Sequence, residues 1–502
     1  MENERACGIL LPVSSLPSKY GIGCFSNEAY EFVDQLAEAG QSFWQILPLG
    51  PTGYGDSPYQ SFSTFAGNPY FISLEGLIGE GVLTLEECEQ ADFGEDPSQV
   101  DYGKLYQSRY ILLRKAYERS DIAKDPLFSA FMEKEGWWVS DYALFMAVKS
   151  RFGDVAYSEW DADIRQRRPH ALSHYRKELY EDIGFQEYMQ YKFYQQWGRL
   201  KTYANQKGIR IIGDIPIYVA MDSADTWANP GLFRLDEELV PTHVAGCPPD
   251  GFSETGQLWG NPLYRWEEHE KTDFSWWRSR LAHSFSLYDV VRIDHFRGFD
   301  EYYVIPYGDK DARGGWWEKG PGIGFFRAAG EELEKHEVIA EDLGYMTDSV
   351  RQLVKDTGFP NMKVLEFAFD SRDTGSAADY LPHNYPENCV VYTGTHDNET
   401  LLGWFADIRK EEQEMVRAYL NNYHDTPEEL CQDMIVMAMR SVARICVIPL
   451  QDYLGLDNRA RINQPSTLGK NWKWRLLPGQ LDQAFIRRLS CLARLYGRER
   501  KG

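Results

Sequence analysis

Acidic side chains, two histidines, an asparagine and an arginine recur at the points where short apolar runs of the chain end. These residues are Asp214, Arg292, Asp294, His295, Glu341, Asp342, Glu366, Asp370, His396, Asp397 and Asn398. Bringing several acids out of water to one place is expensive unless cations or the hydroxyl groups of a ligand pair with them. A single acid of this kind is structural about half the time, but the whole set indicates a binding or catalytic site.

Two opposed carboxyl groups supported by histidine, arginine and aromatic residues are what cleavage of a glycosidic bond requires. One carboxyl attacks or stabilises the anomeric carbon while the other protonates the leaving oxygen, and no metal or cofactor is needed. Motifs of other site types do not fit. The sequence has no HExxH, no GxxxxGK[ST] and no GxGxxG after its first apolar run, and GFSETG at 251–256 misses GxSxG by one residue.

The glycine-rich stretch at 50–60 allows two interpretations. It could cradle a phosphate, but no basic residue follows it. We therefore interpret it as a loop that presents Tyr54, Asp56, Ser57 and Tyr59 to a sugar.

The spacing of Arg292 and Asp294 supports a shared site. They lie two residues apart, so on a strand both side chains point to one face, where the guanidinium keeps the carboxylate ionised. Asp342 comes directly after another acid of the set and should point away, which favours a structural role. A lone histidine is more often a core residue, but His295 and His396 each neighbour an acid at the end of a run, which favours contact with a sugar hydroxyl.

Eight short, β-branched runs have the character of buried parallel strands. They lie at 8–13, 44–50, 209–219, 289–294, 337–344, 362–370, 389–397 and 445–452. Helical patterns alternate with them, for example at 28–39 and 428–443. Eight strands alternating with helices predict an α/β fold, a (β/α)8 TIM barrel, whose sites lie at the C-terminal ends of the strands.

A bare barrel of this kind takes about 250 residues, so about half of the 502 residues must form insertions. We expect one catalytic barrel over 1–502, with large, mostly helical insertions at the C-terminal face of the strands. One is a helical subdomain at 60–200, between the second and third strands. The other, at 220–288, carries a glycine- and proline-rich active-site loop at 246–264, and long loops of this kind are usually functional.

The composition favours a neutral ligand. The 53 Lys and Arg against 76 Asp and Glu give a net charge of −23, which argues against nucleic acid, because binding a polyanion needs a basic face. The chain has 15 Trp and 31 Tyr, flat side chains with one polar tip that can stack on sugar rings, although composition alone favours a large aromatic core.

The cysteines and the chain start bear on location. The eight cysteines are scattered, with no CxxC pair and no histidine at metal-ligand spacing, which predicts neither disulfides nor a zinc site. The N-terminal stretch lacks the pattern of a signal peptide, and no stretch reaches the about 18 apolar residues of a membrane span. We expect a cytoplasmic protein with no membrane partner.

Six motifs resemble those of one known family. They are GYGDSPYQ at 53–60, GDIPIYV at 213–219, RIDHFRG at 292–298, EDLG at 341–344, THDN at 395–398 and RINQPSTLGKNWKWR at 461–475. In order from about residue 8 to the C-terminus, the chain resembles the amylomaltases, also called 4-α-glucanotransferases or disproportionating enzymes, a branch of the α-amylase superfamily. The resemblance implies retaining transfer of α-1,4-glucan segments from a maltooligosaccharide or amylose to the 4-hydroxyl of glucose or another glucan, without a cofactor.

The resemblance also implies residue roles. Asp294 would be the nucleophile, Glu341 the general acid/base and Asp397 the second carboxylate that holds substrate hydroxyls. The implied substrate contacts are Ser57, Tyr59, Asp214, Trp259, Arg292, His295, Asp370, His396 and Asn463. The chain departs from the family at one point, because the family usually has Pro-Gly after the asparagine, whereas here Pro465 is followed by Ser466.

Two further expectations concern the rim of the site. Tyr54 and Tyr102 could form a separate glucan-docking spot. In the 246–264 loop, glycines permit a tight arch, while Phe252 and Trp259 supply an apolar cover. We expect this loop to hold an acceptor beside the reaction intermediate and to exclude water.

Two rival functions need to be separated from transfer. A hydrolytic α-amylase or α-glucosidase uses the same carboxylates but hands the glucosyl group to water. A non-catalytic glucan-binding protein on a barrel scaffold would be expected to lack one acid, yet all three proposed acids are present. The sequence also leaves open whether the protein is a monomer or a homodimer.

Overall fold

The computed structural model describes residues 4–53, 55–249, 253–344, 346–371 and 377–500. The strands formed by these residues are β1 Ala6–Leu10, β2 Phe43–Gln45, β3 Arg210–Pro216, β4 His243–Cys247, β5 Gln257–Pro262, β6 Val290–Asp294, β7 Glu301–Pro306, β8 Trp316–Lys319, β9 Glu337–Ala340, β10 Asn361–Val364, β11 Cys389–Tyr392 and β12 Ile445–Pro449.

The α-helices of the described residues are α1 Asn27–Glu38, α2 Leu74–Gly79, α3 Leu85–Glu89, α4 Tyr102–Arg119, α5 Pro126–Arg151, α6 Ala162–Arg165, α7 Pro169–Glu178, α8 Tyr180–Gln206, α9 Ala224–Ala228, α10 Trp266–Lys271, α11 Ser275–Leu287, α12 Ile323–Ala328, α13 Gly330–Leu333, α14 Asp348–Thr357, α15 Leu401–Asp407, α16 Lys410–Leu420, α17 Pro427–Arg440, α18 Leu450–Leu454 and α19 Gln483–Leu495. None of these helices combines the length and the apolar character that crossing a membrane requires.

Eight of the strands close into a parallel barrel. Their order around it is β1-β12-β11-β10-β9-β6-β3-β2, and β2 pairs with β1 again. The seam between the first and last strands is in register, with Cys7 beside Cys446. The predicted α/β (β/α)8 TIM barrel is confirmed.

The barrel strands are buried on both faces, which explains their nearly continuous apolar sequences. One set of alternate side chains fills the barrel: Leu10, Phe43, Ile212, Val290, Ile339, Met362, Val390, Tyr392, Ile445 and Val447. The other set, such as Ile9, Ile211 and Val291, packs against the helices. Continued to the strand ends, the same alternation decides which polar side chains enter the barrel mouth.

Between β2 and β3 the described part of the chain is mostly helical and carries α2 to α8. The long helices α5 and α8 pack along each other, and an aromatic cluster that includes Trp138, Tyr142, Phe145 and Trp160 joins α5 to Trp227 of α9. These rings are buried, so part of the Trp and Tyr content belongs to the core. That 60–200 forms a helical insertion subdomain, and that 220–288 is an insertion carrying an active-site loop, both stay predictions.

A second sheet stands where the sequence analysis expected a loop at 246–264. It is antiparallel, with the order β5-β4-β7-β8, so much of the described part of that segment is strand. Gly246 is required there, because a Cβ at this position would lie 2.2 Å from the carbonyl oxygen of Gln257 on β5. Gly256 and Gly260 adopt positive φ angles of 69° and 78°, which glycine accepts without strain.

Several strands end earlier than their apolar runs. The run at 44–50 is strand only to Gln45. The run at 362–370 leaves the sheet after Val364, and Leu365–Phe369 form a 3-10 helix. The residues of these runs that follow Gln45 and Val364 are no longer in a strand. Most of their side chains are still buried, which explains why the sequence stays apolar. Between β10 and β11 the described residues form short 3-10 helices in place of an α-helix.

Candidate active site

The C-terminal ends of the barrel strands surround a cleft of about 620 Å³. The alternation that points Val290 into the barrel also brings Arg292 and Asp294 to its mouth, and Ile212 on β3 is followed in the same way by Asp214. The predicted site residues that line the cleft are Ser57, Tyr59, Trp259, Asp294, His295, Glu341, His396, Asp397 and Asn463.

Arg292 is the centre of charge beneath the cleft. Its Nη1 lies 2.6 Å from Asp214 Oδ2 and 3.1 Å from Asp294 Oδ1, and its Nη2 lies 4.0 Å from Glu341 Oε2. The Tyr59 hydroxyl donates to the same Asp214 oxygen at 2.7 Å. Asp214 is buried, so it holds the arginine and the tyrosine from behind while the other two carboxyls face the cleft.

Both oxygens of Glu341 are fixed by the backbone. Oε2 accepts a hydrogen bond from the His295 N–H at 2.6 Å, and Oε1 accepts one from the Leu343 N–H at 2.9 Å. Burial raises the pKa of Glu341, while the charge of Arg292 and the two N–H groups oppose that rise. A carboxyl with a raised pKa can hold a proton closer to neutral pH, which a general acid requires.

Asp294 lies at the end of β6 with 27% of its side chain exposed to the cleft. Burial raises the pKa of Asp294, Arg292 opposes the rise, and the charges of Asp214, Glu341 and Asp397 add to it. Several carboxylates around a single guanidinium carry more negative charge than it neutralises. The group is therefore arranged to hold a shared proton.

Asp397 is held by the segments that follow β11 and β12. Asn463 Nδ2 donates to Asp397 Oδ1 at 2.6 Å, and His396 Nε2 lies 3.3 Å from the same oxygen. Burial lowers the pKa of His396, so the ring is neutral at neutral pH. Tyr59 stacks on this ring, with centroids 5.0 Å apart and planes at 14°, and the Trp472 ring lies 5.9 Å from Tyr59.

Strained backbone gathers around the cleft. Asp56, His295, Ser466 and Trp472 have positive φ angles of 58°, 52°, 63° and 65°. A non-glycine residue in this region costs about 1–2 kcal/mol, and surrounding contacts must compensate for it. Ser466 is the position where the resembled family usually has glycine, so the departure from that pattern introduces strain.

Trp259 forms an apolar wall on β5. Its ring meets His295 edge to face at 4.8 Å, and its Nε1 donates to Gln257 Oε1 at 3.0 Å. Leu258 beside it is 42% exposed and lines the same cleft. The second sheet therefore supplies an apolar surface beside His295, the residue that follows Asp294.

Asp370 lies away from the other predicted contacts. It lines an adjoining cavity of about 420 Å³ that shares Asp397 with the main cleft, and Arg409 Nη2 lies 3.9 Å from it. A ligand must extend past Asp397 to reach Asp370. Its predicted role as a sugar contact therefore applies to a longer chain.

Tyr54, Tyr102 and Phe252 were expected at the rim of the site. Tyr54 and Phe252 lie outside the described residues. The Tyr102 hydroxyl donates to the carbonyl of Trp472 at 2.9 Å, so Tyr102 supports the segment that carries this tryptophan. The proposed docking spot of Tyr54 and Tyr102 stays a prediction.

Sequence reasoning missed Arg461 and Trp472 as functional residues. Arg461 Nη2 donates to the carbonyl of Asp397 and its Nε to that of Asn463, both at 2.8 Å, so it fixes the backbone of two site residues. Both residues lie inside the C-terminal motif at 461–475. The motif was a usable signal, but it did not show which of its members reach the cleft.

A sequence model of the 4-alpha-glucanotransferase family matches residues 11–480. The chain belongs to the 4-alpha-glucanotransferase family. It is 48% identical over 489 residues to the 4-alpha-glucanotransferase of Clostridium butyricum, covering 97% of this chain and 99% of the relative. It is 47% identical over 502 residues to that of Thermus thermophilus, covering 98% and 99%.

Solved structures agree with this assignment. The 4-alpha-glucanotransferase fold of the chain matches the amylomaltase from Streptococcus agalactiae in complex with acarbose with a TM-score of 0.95 and 42% identity, covering 99% of this chain and 100% of the other. The family, the barrel fold and the glycosyl-transferring activity expected from the sequence are confirmed. The hydrolytic alternative is not favoured.

Proposed function

We propose that Asp294, Glu341 and Asp397 carry out a retaining, two-step transfer of α-1,4-glucan segments. The donor is a maltooligosaccharide or amylose, and the acceptor is glucose or another glucan, which receives the segment on its 4-hydroxyl. The observation that carries this proposal is the position of Arg292, whose guanidinium reaches the carboxyls of both Asp294 and Glu341. This shared contact supports the proposal that both carboxyls act at the same glycosidic bond, as a retaining mechanism requires.

In the first step, Asp294 attacks the anomeric carbon of the donor and the glycosidic bond breaks. Glu341 gives its proton to the departing oxygen, so the leaving chain departs as an alcohol. Asp294 suits the attacking role because it lies nearer to the guanidinium than Glu341 does, 3.1 Å against 4.0 Å, which favours its ionised form. The product is a glycosyl ester on Asp294.

In the second step, the ionised Glu341 takes the proton of the acceptor 4-hydroxyl. The acceptor oxygen attacks the anomeric carbon, the ester bond breaks, and Asp294 leaves as a carboxylate. Two inversions give net retention. The backbone N–H groups that bind both oxygens of Glu341 support its ionised form at this stage.

Asp397, His396 and Tyr59 are proposed to hold the reacting sugar. Asp397 accepts a hydrogen bond from Asn463 on one oxygen and keeps acceptor capacity for sugar hydroxyls on the other. The neutral ring of His396 can donate to a hydroxyl. Such contacts contribute to rate when they strengthen as positive charge develops on the sugar.

The acceptor is proposed to lie against Trp259 and Leu258. A sugar ring stacked on this wall is held beside the glycosyl ester and has a proximity advantage over water. Phe252, expected to share this role, lies outside the described residues. The exposed Leu258 at the cleft supports this position for the acceptor. Covering its apolar side chain with the face of a sugar removes apolar surface from water, which favours binding.

Maltotriose tests the proposal directly. The protein should convert it to glucose and a ladder of longer oligosaccharides, and Asp397→Asn should abolish the ladder. Asp342→Asn is the matched control. Asp342 neighbours Glu341 but accepts hydrogen bonds from the Met362 N–H and from Asn361 Nδ2, both at 3.0 Å, so this variant should keep the ladder. An active Asp397→Asn enzyme would overturn the assigned role.

The cytoplasm remains the proposed location, and glucans and glucose remain the proposed partners. All eight cysteines are free thiols, which supports a reducing compartment. The net charge of −23 supports a neutral rather than a polyanionic partner. A monomer and a homodimer both stay possible assemblies, which sedimentation of the purified protein distinguishes.

A further inference from the structure

Glu366 is a buried acid that the proposed reaction does not use. It belongs to the 3-10 helix Leu365–Phe369 after β10 and lines the adjoining cavity. Its Oε1 is enclosed and has no hydrogen-bond partner among the described residues. The carboxyl lies against Gly394, where an added Cβ would come within 2.7 Å of Oε1.

Glu366 is connected to the turn that carries Asp397. Gly394, the residue before this turn, lies between Glu366 and Asn398, since an added Cβ there would come within 2.7 Å of Glu366 Oε1 and 3.0 Å of the Asn398 Cβ. Asn398 Oδ1 in turn accepts from the N–H and the hydroxyl of Thr395, at 3.0 and 2.9 Å, and the Thr395 hydroxyl oxygen accepts from the Asp397 N–H at 3.3 Å. Glu366 therefore packs against Gly394, where the Thr395–Asn398 turn begins.

The charges that face Glu366 are mostly negative. They are those of Asp452, Glu399 and Arg461, and the cavity wall adds Asp370, Asp397, Asp407, Arg409 and Glu412. Arg461, the cation among the first three, lies 3.5 Å from Glu399 and donates to two backbone carbonyls. With Glu366, Asp452 and Glu399 all ionised, this group would hold two uncompensated negative charges, so a proton is expected there.

The proton belongs on Glu366 rather than on Asp452 or Glu399. Glu399 Oε1 accepts from Asn458 Nδ2 at 3.0 Å and lies 3.5 Å from Arg461 Nη1, which favours a carboxylate there. Asp452 Oδ1 accepts from the Leu401 N–H at 2.8 Å and its Oδ2 from the Thr393 hydroxyl at 2.5 Å, and two such bonds favour a carboxylate. Glu366 has a bare oxygen. The pKa shifts agree, because burial raises the pKa of Asp452 to about 6 and raises that of Glu366 well above its usual value.

We propose that Glu366 carries a proton at neutral pH and, as a neutral acid, positions the Thr395–Asn398 turn that presents Asp397 to the cleft. A neutral acid fills the space against Gly394 without adding charge beside Asp397. An ionised Glu366 would add a negative charge next to Asp452 and Glu399. The consequence for catalysis rests on the proposed function of Asp397, but the protonation does not.

Glu366→Gln tests the proposal, because glutamine has the shape of the neutral acid and cannot ionise. A group whose pKa is raised on folding contributes stability that is present below its unfolded pKa of about 4.3 and is lost as pH rises through the folded pKa. The Tm of E366Q relative to wild type should therefore increase steadily from about pH 5 to about pH 8. A difference that is constant with pH would overturn the proposal.

Infrared spectroscopy gives a second readout that does not depend on activity. The wild-type minus E366Q difference spectrum at neutral pH should contain the C=O band of a protonated carboxylic acid, and its absence would also overturn the proposal. This band should persist in Asp397→Asn, so failure of the proposed function and failure of this inference are distinguishable.

Activity then tests the positioning role. E366Q should keep kcat/KM within about threefold of wild type, while E366A should lose about tenfold or more, because the turn loses its anchor. Equal losses in both variants would overturn the role of the neutral acid. Asp452→Asn is the control, since it removes an acceptor oxygen from an ionised group, and it should melt below wild type at every pH.

Discussion

At the level of single side chains, the candidate reaction depends on how one guanidinium divides its charge among three carboxyls. Arg292 lies 2.6 Å from Asp214, 3.1 Å from Asp294 and 4.0 Å from Glu341. The buried Asp214 neutralises the arginine from behind. Asp294 keeps a closer ion pair with the guanidinium than Glu341 does, and this contact favours the ionised form of Asp294 against the burial that raises the pKa of both carboxyls.

Replacing the proposed nucleophile should remove activity without unfolding the protein. Asp294→Asn should lower kcat on maltotriose by about 10³-fold or more, because an amide cannot form the glycosyl ester. Circular dichroism and thermal melting check that the barrel persists. A slow fluorinated glycosyl donor should label Asp294 in the wild type, and a label found on any other residue would contradict the assignment.

Glu341 should set the pH dependence of the first step. Its raised pKa means that the protonated form persists to higher pH than for an ordinary glutamic acid. Formation of the glycosyl ester needs that form, so its rate should fall as pH rises through the folded pKa. Stopped-flow measurement of this step over a pH series checks the expectation.

Glu341→Gln separates the two duties of this residue. With maltotriose the first step should lose about 10³-fold, because the leaving oxygen receives no proton. With glucosyl fluoride the loss should be much smaller, since fluoride departs without protonation, and the glycosyl ester should accumulate. Equal losses on both donors would show that Glu341 does not act as the acid.

At the level of elements, the sequence predicts strands well where consecutive residues are apolar and buried. It predicts them poorly where glycine stands in place of larger apolar side chains. The barrel runs are β-branched and apolar, so their positions follow from composition. The hairpin of β4 and β5 is rich in glycine and proline and resembles a loop, although Gly246 is needed there because the neighbouring strand leaves no room for a Cβ. The strand β7, Glu301–Pro306, lies outside the eight predicted runs and belongs to the second sheet, not to the barrel.

The position of acidic residues at the ends of strands predicted the candidate site better than the type of any single residue did. Asp294, Glu341 and Asp397 line one cleft, as expected of acids at the C-terminal ends of parallel strands. Asp370 lies in the neighbouring cavity because its run turns into a 3-10 helix before reaching it. Trp472 lies in the segment after β12, and the motif at 461–475 that contains it does not show which of its members reach the cleft.

The second sheet should control the choice between acceptor and water. Trp259→Ala removes an aromatic wall worth about 1 kcal/mol of stacking, so the ratio of transfer to hydrolysis should fall about fivefold. Trp316→Ala is the matched control, since Trp316 lies on β8 of the same sheet, is 41% exposed and does not line the cleft. Product ratios from maltotriose check both variants. Equal ratios in the two would assign water exclusion to another segment.

At the level of the whole molecule, the barrel must close between its first and last strands. The closing seam joins β1 to β12, and α19 at the end of the chain packs beside α1. The segment after α19 returns to the N-terminal end of the barrel, opposite the cleft. Residues at the N-terminal ends of the barrel strands therefore serve stability, and those at the C-terminal ends serve catalysis, as is usual in this fold.

Arg498 is the residue that ties this seam. Its fully buried guanidinium donates to the carbonyls of Ala6, Met439, Ser441, Ala443 and Arg444 at 2.7–3.2 Å. Arg498→Met fills similar space but leaves these carbonyls unpaired, so it should destabilise the fold by about 3–5 kcal/mol. The apparent Tm should drop by several degrees, while kcat measured well below that Tm should stay within about twofold of wild type, because the cleft lies at the other end of the barrel. Arg494→Met, on the exposed side of α19 with 70% of the side chain in solvent, should leave both quantities unchanged. A fall in kcat at unchanged Tm would show that the two ends of the barrel are coupled.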